Sequence, residues 1–208
     1  MAKSRGPSRA KTGTKTTAKA KTGKFRSGKS QTGKSEAGKR KSAKSTQAVS
    51  GGSIPSLAVG AKAPAFALPR DGGGTISLAD YAGRKLVLYF YPRADTPGCT
   101  KEAIDFTRLK AAFARAGTEV VGVSADPIAA QDAFRDKHKL GIALASDERH
   151  KMLSAYGVWQ EKSMYGRKFL GIVRATFLIG PDQRIAQIWP RVSVTGHAED
   201  VLTAAEAL

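Results

Sequence analysis

The basic residues of the chain are concentrated near its start, and this limits which part can fold. Residues 1–50 contain 15 Lys and Arg residues and one acid, Glu36, so this segment carries a net charge of +14. Residues 51–208 carry only +4. The first segment is nearly all Lys, Ser, Thr, Gly and Ala, and it cannot bury enough apolar surface to offset the chain entropy lost on folding. We therefore expect the core to form within the remaining 158 residues.

A five-residue repeat runs through the basic segment. Lysine recurs at Lys19, Lys24, Lys29, Lys34, Lys39 and Lys44. Residues five apart are turned by roughly 500° around a helix, so these lysines would not share one helix face. We interpret residues 1–53 as a disordered basic tail with a Gly/Ser hinge, followed by one domain over 54–208. The charge of residues 1–50 would allow non-specific, salt-dependent binding to DNA; a solubilising or targeting extension is the alternative.

The cysteine content and the hydropathy of the chain exclude several classes of protein. The single cysteine, Cys99, rules out an intramolecular disulfide and hence a secreted disulfide scaffold. The chain has no apolar run of about 18 residues or more, as a transmembrane helix would need, and its first residues lack the apolar core of a secretory signal. These features predict a cytoplasmic protein with no membrane partner, associated with the nucleoid if the tail binds DNA, or nuclear in a eukaryote.

Strand and helix patterns alternate through residues 54–208, which predicts an α/β domain with a mixed sheet. Residues 86–91 (LVLYFY) form an unbroken apolar run that ends at Pro92, as expected of a central strand covered on both faces. Residues 99–116 carry apolar side chains at helical spacing, and Gly117 is expected to end that helix. The other predicted elements are a hairpin of 65–68 and 75–77, strands at 120–124, 142–145, 173–179 and 184–188, and helices at 126–139, 147–156 and 197–208. For the helix at 126–139 we predict Asp126 as the N-cap and Pro127 in the first helical position.

Cys99 occupies a position that suits a nucleophile. It follows the predicted central strand and a turn rich in proline and glycine, and it begins the next helix. The first turn of a helix presents unpaired N–H groups and the positive end of the helix dipole. Both favour the thiolate, which is the reactive form of cysteine. A lone cysteine is also often a buried structural residue, so position alone leaves both interpretations open.

The residues around Cys99 resemble the active-site loop of one enzyme family. Residues 89–102 read YFYPRADTPGCTKE and match the peroxiredoxin pattern Pro-x-x-x-Thr-x-x-Cys. Thr-Pro-Gly-Cys-Thr at 96–100 is the wording of the Q-type branch, also called bacterioferritin-comigratory proteins. Further matches to that branch are YGVWQEK at 156–162, RATFLI at 174–179 and GHAEDVL at 196–202. The resemblance covers about 57–208 and implies a thioredoxin-like fold, with a central mixed sheet flanked by helices.

The resemblance also implies an activity and a role for each matching residue. Such a chain would be a peroxidase of the thioredoxin-dependent type, reducing hydrogen peroxide and organic hydroperoxides without a metal, haem or flavin cofactor. Cys99 would be the peroxidatic cysteine, and Arg174 would hold the thiolate and polarise the O–O bond. Thr96 would hydrogen-bond the peroxide and the sulfur, and Pro92 would shield the thiolate from water. Without the family match, Arg174 would be interpreted as a strand-end residue, Thr96 as a turn residue and Pro92 as the residue that ends its strand.

Four other titratable residues are left outside this catalytic set. Glu102 is interpreted as an acid of the first helical turn, favoured there by the helix dipole. His138, His150 and His197 show no metal-ligand spacing, and we expect them to be surface or capping residues.

The chain lacks the second cysteine that many Q-type members carry five residues after the first. Ile104 stands at that position, and no other cysteine occurs. We therefore predict a one-cysteine mechanism, in which thioredoxin, or glutaredoxin with glutathione, regenerates Cys99 as an external thiol. The resemblance implies a monomer or a weak dimer. The alternative function is a nucleic-acid-associated protein that binds DNA through its tail, with or without peroxidase activity.

Overall fold

The apolar run at 86–91 supplies the middle strand of a five-stranded sheet. The computed structural model describes residues 57–164 and 166–208. The strands are β1 (Ala67–Pro69), β2 (Thr75–Ser77), β3 (Lys85–Phe90), β4 (Thr118–Ser124), β5 (Ala143–Ser146), β6 (Trp159–Met164), β7 (Arg167–Ile172), β8 (Ala175–Ile179) and β9 (Ile185–Trp189). The helices are α1 (Pro97–Arg115), α2 (Ile128–His138), α3 (Lys151–Ala155) and α4 (His197–Ala207), with a short 3-10 turn at Leu78–Tyr81.

The main sheet is mixed, as predicted, and its strand order brings two distant parts of the chain together. The order is β5-β4-β3-β8-β9, with β3, β4 and β5 parallel, and β8 antiparallel to both of its neighbours. Phe90 at the end of β3 lies opposite Ala175 at the start of β8. The segment after β3, which leads to Cys99, and the segment before β8, which holds Arg174, therefore emerge at the same edge of the sheet.

Both faces of the sheet are covered, which confirms the prediction for the central strand. Successive side chains of a strand point to opposite faces. Leu86, Leu88 and Phe90 pack into the core on the face that holds α3 and the β1–β2 hairpin. The alternate residues of β3, beginning with Val87 and Tyr89, pack against α1, α2 and α4. Cys99 belongs to this second core, so the thiol is held by the packing of α1 on the sheet.

Most predicted elements are present, with shifted ends. The predicted hairpin is confirmed, although its first strand begins at Ala67. Helix α1 begins two residues before the predicted start, and Gly117, with φ +66°, follows its last turn. The β6–β7 hairpin was not predicted. The sequence of β7, RKFLGI, does not alternate apolar and polar residues, so it gives no strand signal. Its first four residues, 167–170, are all exposed.

The predicted cap of α2 is wrong by one residue. The helix begins at Ile128, and Pro127 occupies the N-cap position, where its carbonyl accepts from the N–H groups of Ala130 and Gln131. Asp126 does not cap the helix, because its carboxylate accepts a hydrogen bond from Ala94 N (2.7 Å) instead. A donor from the loop before Cys99 has displaced the local capping bond.

Three predictions concern residues that lie outside the described part of the chain. The disordered tail with its hinge, at 1–53, and the DNA contact of residues 1–50 stay predictions, as does the domain boundary at 54. Among the residues that the structure describes, no helix has the length and the apolar character to cross a membrane.

Candidate active site

Cys99 lies in the first turn of α1 and is almost fully buried. Thr96 is the N-cap residue, and Pro97 starts the helix with its fixed φ. The thiol is the only cysteine of the chain, and the residue is 1% exposed. Its Sγ accepts a hydrogen bond from Arg174 Nη2 at 3.1 Å. A positive side chain thus meets the sulfur at the helix end where unpaired N–H groups also favour negative charge.

Arg174 is held between the thiol and a carboxylate. Its Nη1 forms an ion pair with Glu102, while Nη2 donates to Cys99. Burial lowers the pKa of Arg174, but the neighbouring Glu102 and Cys99 more than offset this and raise it above its ordinary value. The guanidinium therefore keeps its charge, and its two terminal N–H groups contact Cys99 and Glu102 at the same time.

Glu102 is the functional candidate that the sequence interpretation missed. It is 1% exposed, and its Oε1 has no hydrogen-bond partner among the described residues. Burial raises the pKa of Glu102 to about 7, even though Arg174 acts in the opposite direction. The interpretation as an acid of the first helical turn is therefore wrong, because Glu102 lies beyond the first turn of α1 and is buried. A usable signal was present, since residues three apart share a helix face, and Cys99 lies three positions before Glu102.

Tyr89 places a second unsatisfied polar atom in the same core. Its hydroxyl has no hydrogen-bond partner among the described residues, and its ring stacks on Phe106 (4.7 Å between centroids) and Tyr91 (5.6 Å). A Cβ at Gly122 would lie 2.5 Å from the hydroxyl, so glycine is needed there to admit the ring. Burial raises the pKa of Tyr89 well above its ordinary value, with contributions from Tyr91, Glu102 and Cys99, so the phenol stays neutral.

Thr96 and Pro92 lie close to Cys99 in the chain, but among the described residues the hydrogen bond to the sulfur comes from Arg174 and not from Thr96. Thr96 Oγ1 donates to Arg93 O (3.0 Å). In this arrangement the hydroxyl oxygen can accept a hydrogen bond from a peroxide, and it can donate one only after rotating. Pro92 lies two residues after the end of β3 and is exposed. The roles assigned to these two residues stay predictions.

The loop between β3 and α1 is anchored to α2 and to the turn before it. Asp126 Oδ2 accepts from Ala94 N (2.7 Å) and from Ser124 Oγ (2.8 Å). Asp95 has a positive φ of +57°, which is uncommon for a residue with a side chain. Its carboxylate binds Lys137 Nζ (2.6 Å) and His138 Nε2 (2.7 Å), and these bonds help to hold the strained residue. The loop that presents Cys99 is thus fixed by contacts that the sequence did not suggest.

A comparison with protein-family models decides the family. Residues 59–188 match the model described as the AhpC/TSA family. The chain belongs to the AhpC/TSA family. Among relatives of this AhpC/TSA chain, peroxiredoxin Bcp of Bacillus subtilis is 40% identical over 147 residues, which is 71% of this chain and 94% of the relative. Peroxiredoxin Bcp of Escherichia coli is 37% identical over 146 residues, covering 70% and 94%.

Solved structures agree with this assignment. One structure concerns the alkyl peroxide reduction activity of the Xanthomonas campestris bacterioferritin comigratory protein. It matches the AhpC/TSA chain with a TM-score of 0.66 and 42% identity, over 68% of this chain and 90% of that chain. The predicted thioredoxin-like fold and the predicted membership of the Q-type branch are confirmed.

His197 is a further buried group near the site of this AhpC/TSA chain. It opens α4 and is 4% exposed, and its Nε2 lies 2.8 Å from Thr176 Oγ1 on β8. The expectation of a surface or capping histidine is therefore wrong for this residue. Burial lowers the pKa of His197 to about 4, and the charge of Arg174 acts in the same direction. The ring is neutral at neutral pH and behaves as part of the core between Phe106 and Trp189.

Proposed function

We propose that the chain reduces hydrogen peroxide and organic hydroperoxides with Cys99 as its one redox-active thiol. The observation that carries the proposal is the hydrogen bond of Arg174 Nη2 to Cys99 Sγ (3.1 Å) in the first turn of α1. Membership of a family whose relatives are named peroxiredoxins supports it. The alkyl peroxide reduction of the Xanthomonas campestris relative supports organic hydroperoxides as substrates.

The first half of the proposed cycle oxidises the sulfur by two electrons. The Cys99 thiolate attacks one peroxide oxygen, an S–O bond forms and the O–O bond breaks. Sγ becomes a sulfenic acid, and the other oxygen leaves as water or an alcohol after taking up a proton. Negative charge moves from the sulfur to the leaving oxygen, so the fixed positive charge of Arg174 stabilises the transition state without reorganising. Thr96 is proposed to bind the peroxide through its hydroxyl, and Pro92 to limit access of water.

The second half of the cycle needs a thiol from outside the chain. Ile104, where the resemblance places a resolving cysteine, is 43% exposed and has no thiol to offer. One external thiol would displace the oxygen of the sulfenic acid as water and form a mixed disulfide. A second thiol would then release reduced Cys99 and a disulfide product. Thioredoxin, or glutaredoxin with glutathione, would serve as the reductant in this proposal.

A single-turnover experiment tests the proposal. Reduced protein is mixed with one equivalent of hydrogen peroxide, and peroxide loss and the mass of a dimedone adduct on Cys99 are measured. Wild type should consume about one equivalent and form the adduct. Cys99→Ser should do neither, and the surface variant Thr203→Val, whose hydroxyl only bonds Glu199 O within α4, should behave as wild type. Peroxide consumption that persists in Cys99→Ser would refute the proposal.

A further inference from the structure

A groove of about 380 Å³ opens beside Arg174, between the β6–β7 hairpin and the segment that follows β9. Lys162 on β6 and Arg191 after β9 line it together with Arg174. Val192 N donates a hydrogen bond to Arg174 O (3.3 Å), which keeps the segment of Arg191 next to Arg174. The groove and the candidate active site therefore have Arg174 in common, because the same residue donates to Cys99 Sγ.

The lining of this groove has an excess of positive charge. Its acid, Glu161, is neutralised by an ion pair with Lys168 (2.8 Å). Lys162 Nζ donates to the carbonyl of Ile172 (2.8 Å), which leaves its charge uncompensated. Arg191 is exposed, and no carboxylate of the described residues lies within ion-pair distance of it. A cleft lined by charge of one sign raises the local concentration of ligands of the other sign.

We propose that this groove, called here the Arg191 groove, binds the carboxylates of a small peptide thiol that reduces oxidised Cys99. The proposal rests on the one-cysteine cycle proposed above, since only that cycle requires a thiol to approach from outside. The volume of about 380 Å³ falls within the range of small-molecule pockets. A tripeptide thiol with two carboxylates, such as glutathione, has the matching charge and a suitable size.

The reaction of the bound thiol with Cys99 balances without any further redox partner. The sulfur of the bound thiol attacks Sγ of the Cys99 sulfenic acid, an S–S bond forms and the S–O bond breaks. The oxygen leaves as water, taking the proton of the incoming thiol. A second molecule of the thiol attacks the mixed disulfide, so that Cys99 is reduced and the two small thiols leave as their disulfide.

The test compares an anionic with a neutral thiol in variants of Arg191. The kcat/KM for the thiol is measured at saturating hydrogen peroxide with glutathione and with 2-mercaptoethanol. Arg191→Gln should lower the value for glutathione by about fivefold, as expected when an exposed ion pair is lost, and Arg191→Glu should lower it further. The value for 2-mercaptoethanol should not change. The matched control is Arg149→Gln, because Arg149 lines a different cavity, between β1 and α3.

Three outcomes would overturn the proposal. If Arg191→Glu lowered kcat/KM equally for both thiols, the variant would have a general defect. If it lowered kcat/KM for neither thiol, the Arg191 groove would not bind the reductant. The peroxide can also be varied at a fixed concentration of 2-mercaptoethanol. If Arg191→Glu lowered kcat/KM for a carboxylate-bearing fatty-acid hydroperoxide but not for tert-butyl hydroperoxide, the groove would bind the oxidising substrate instead. Single-turnover peroxide consumption by wild type, measured separately, shows whether the underlying peroxidase function itself holds.

Discussion

At the scale of single residues, the site depends on how one guanidinium is shared between the sulfur of Cys99 and the carboxyl group of Glu102. Arg174 contacts both Cys99 and Glu102, and Glu102 is buried with a pKa of about 7. Below that pH the carboxyl group is mostly neutral, and the charge of Arg174 acts largely on the sulfur of Cys99. Above it, the Glu102 carboxylate competes for the same charge. Near neutral pH, therefore, a modest change of proton concentration alters the electrostatic environment of the sulfur.

The first prediction concerns the charge of Glu102. Glu102→Gln keeps the shape and an oxygen for Arg174 but cannot ionise, so its second-order rate constant with hydrogen peroxide should exceed that of wild type increasingly from pH 6 to pH 8. A difference of about 1 kcal/mol, or fivefold, is the expected scale. Stopped-flow single-turnover kinetics across this range would measure it. Glu199→Gln, which removes an exposed acid of α4, is the control, and parallel profiles for Glu102→Gln and wild type would disprove the effect.

Residue-level prediction from sequence succeeded where a local pattern specified the position. Cys99 could be located because a strand, a proline-rich turn and a helix surround it. The approach of Arg174 followed only from the family resemblance, since nothing in a strand-end arginine indicates a partner 75 residues away. Glu102 was misjudged because burial depends on tertiary packing. A carboxylate at a helix start looks the same in sequence whether it faces water or a core.

At the scale of elements, α2 and the turn before it control a loop to which they are not adjacent in sequence. Asp126 holds Ala94, and the end of α2 holds Asp95 in its left-handed conformation. Local capping rules predicted Asp126 as the cap of α2, and the prediction failed because a loop donor from elsewhere took its carboxylate. The ends of the elements were generally less predictable than their order, since tertiary hydrogen bonds decide where a helix begins.

The second prediction tests this anchor. Asp126→Ala removes the acceptor for Ala94 N, so the loop should move and the rate constant of Cys99 with hydrogen peroxide should fall by about tenfold or more. Asp126→Asn retains an acceptor oxygen and should lose much less. Asp132→Ala is the control, because Asp132 anchors Gly72 instead of the active-site loop. An Asp126→Ala variant as fast as Asp132→Ala would show that the anchor is not needed.

At the scale of the whole molecule, stability in acid should depend on the buried His197. Its pKa is about 4 in the folded protein and about 6.5 in an unfolded chain, so the unfolded state binds the proton first as the pH falls. The contribution of neutral His197 to the free energy of unfolding is therefore complete above pH 6.5, and it is lost progressively as the pH falls towards 4.

The third prediction concerns this loss of stability in acid. Between pH 7 and pH 5, wild type should lose about 2 kcal/mol more of its free energy of unfolding than His197→Gln, whatever the absolute stability of the variant. Urea unfolding at the two pH values would measure the difference. Thr203→Val, which changes a surface hydroxyl of α4 and no titratable group, should retain the pH dependence of wild type. Identical losses in wild type and His197→Gln would contradict the assignment.

The antiparallel register of β3 and β8 has a consequence for the history of such chains. Cys99 and Arg174 are aligned by the hydrogen-bond ladder of two adjacent strands, with Phe90 opposite Ala175, and not by the length of the polypeptide between them. Insertions or deletions in that intervening stretch leave the spacing of sulfur and guanidinium untouched as long as the ladder forms and Asp126 and the end of α2 still hold the loop before Cys99. Descendants of one ancestor are therefore free to remodel a large share of their surface, and with it their choice of partners, while the reactive pair stays in place.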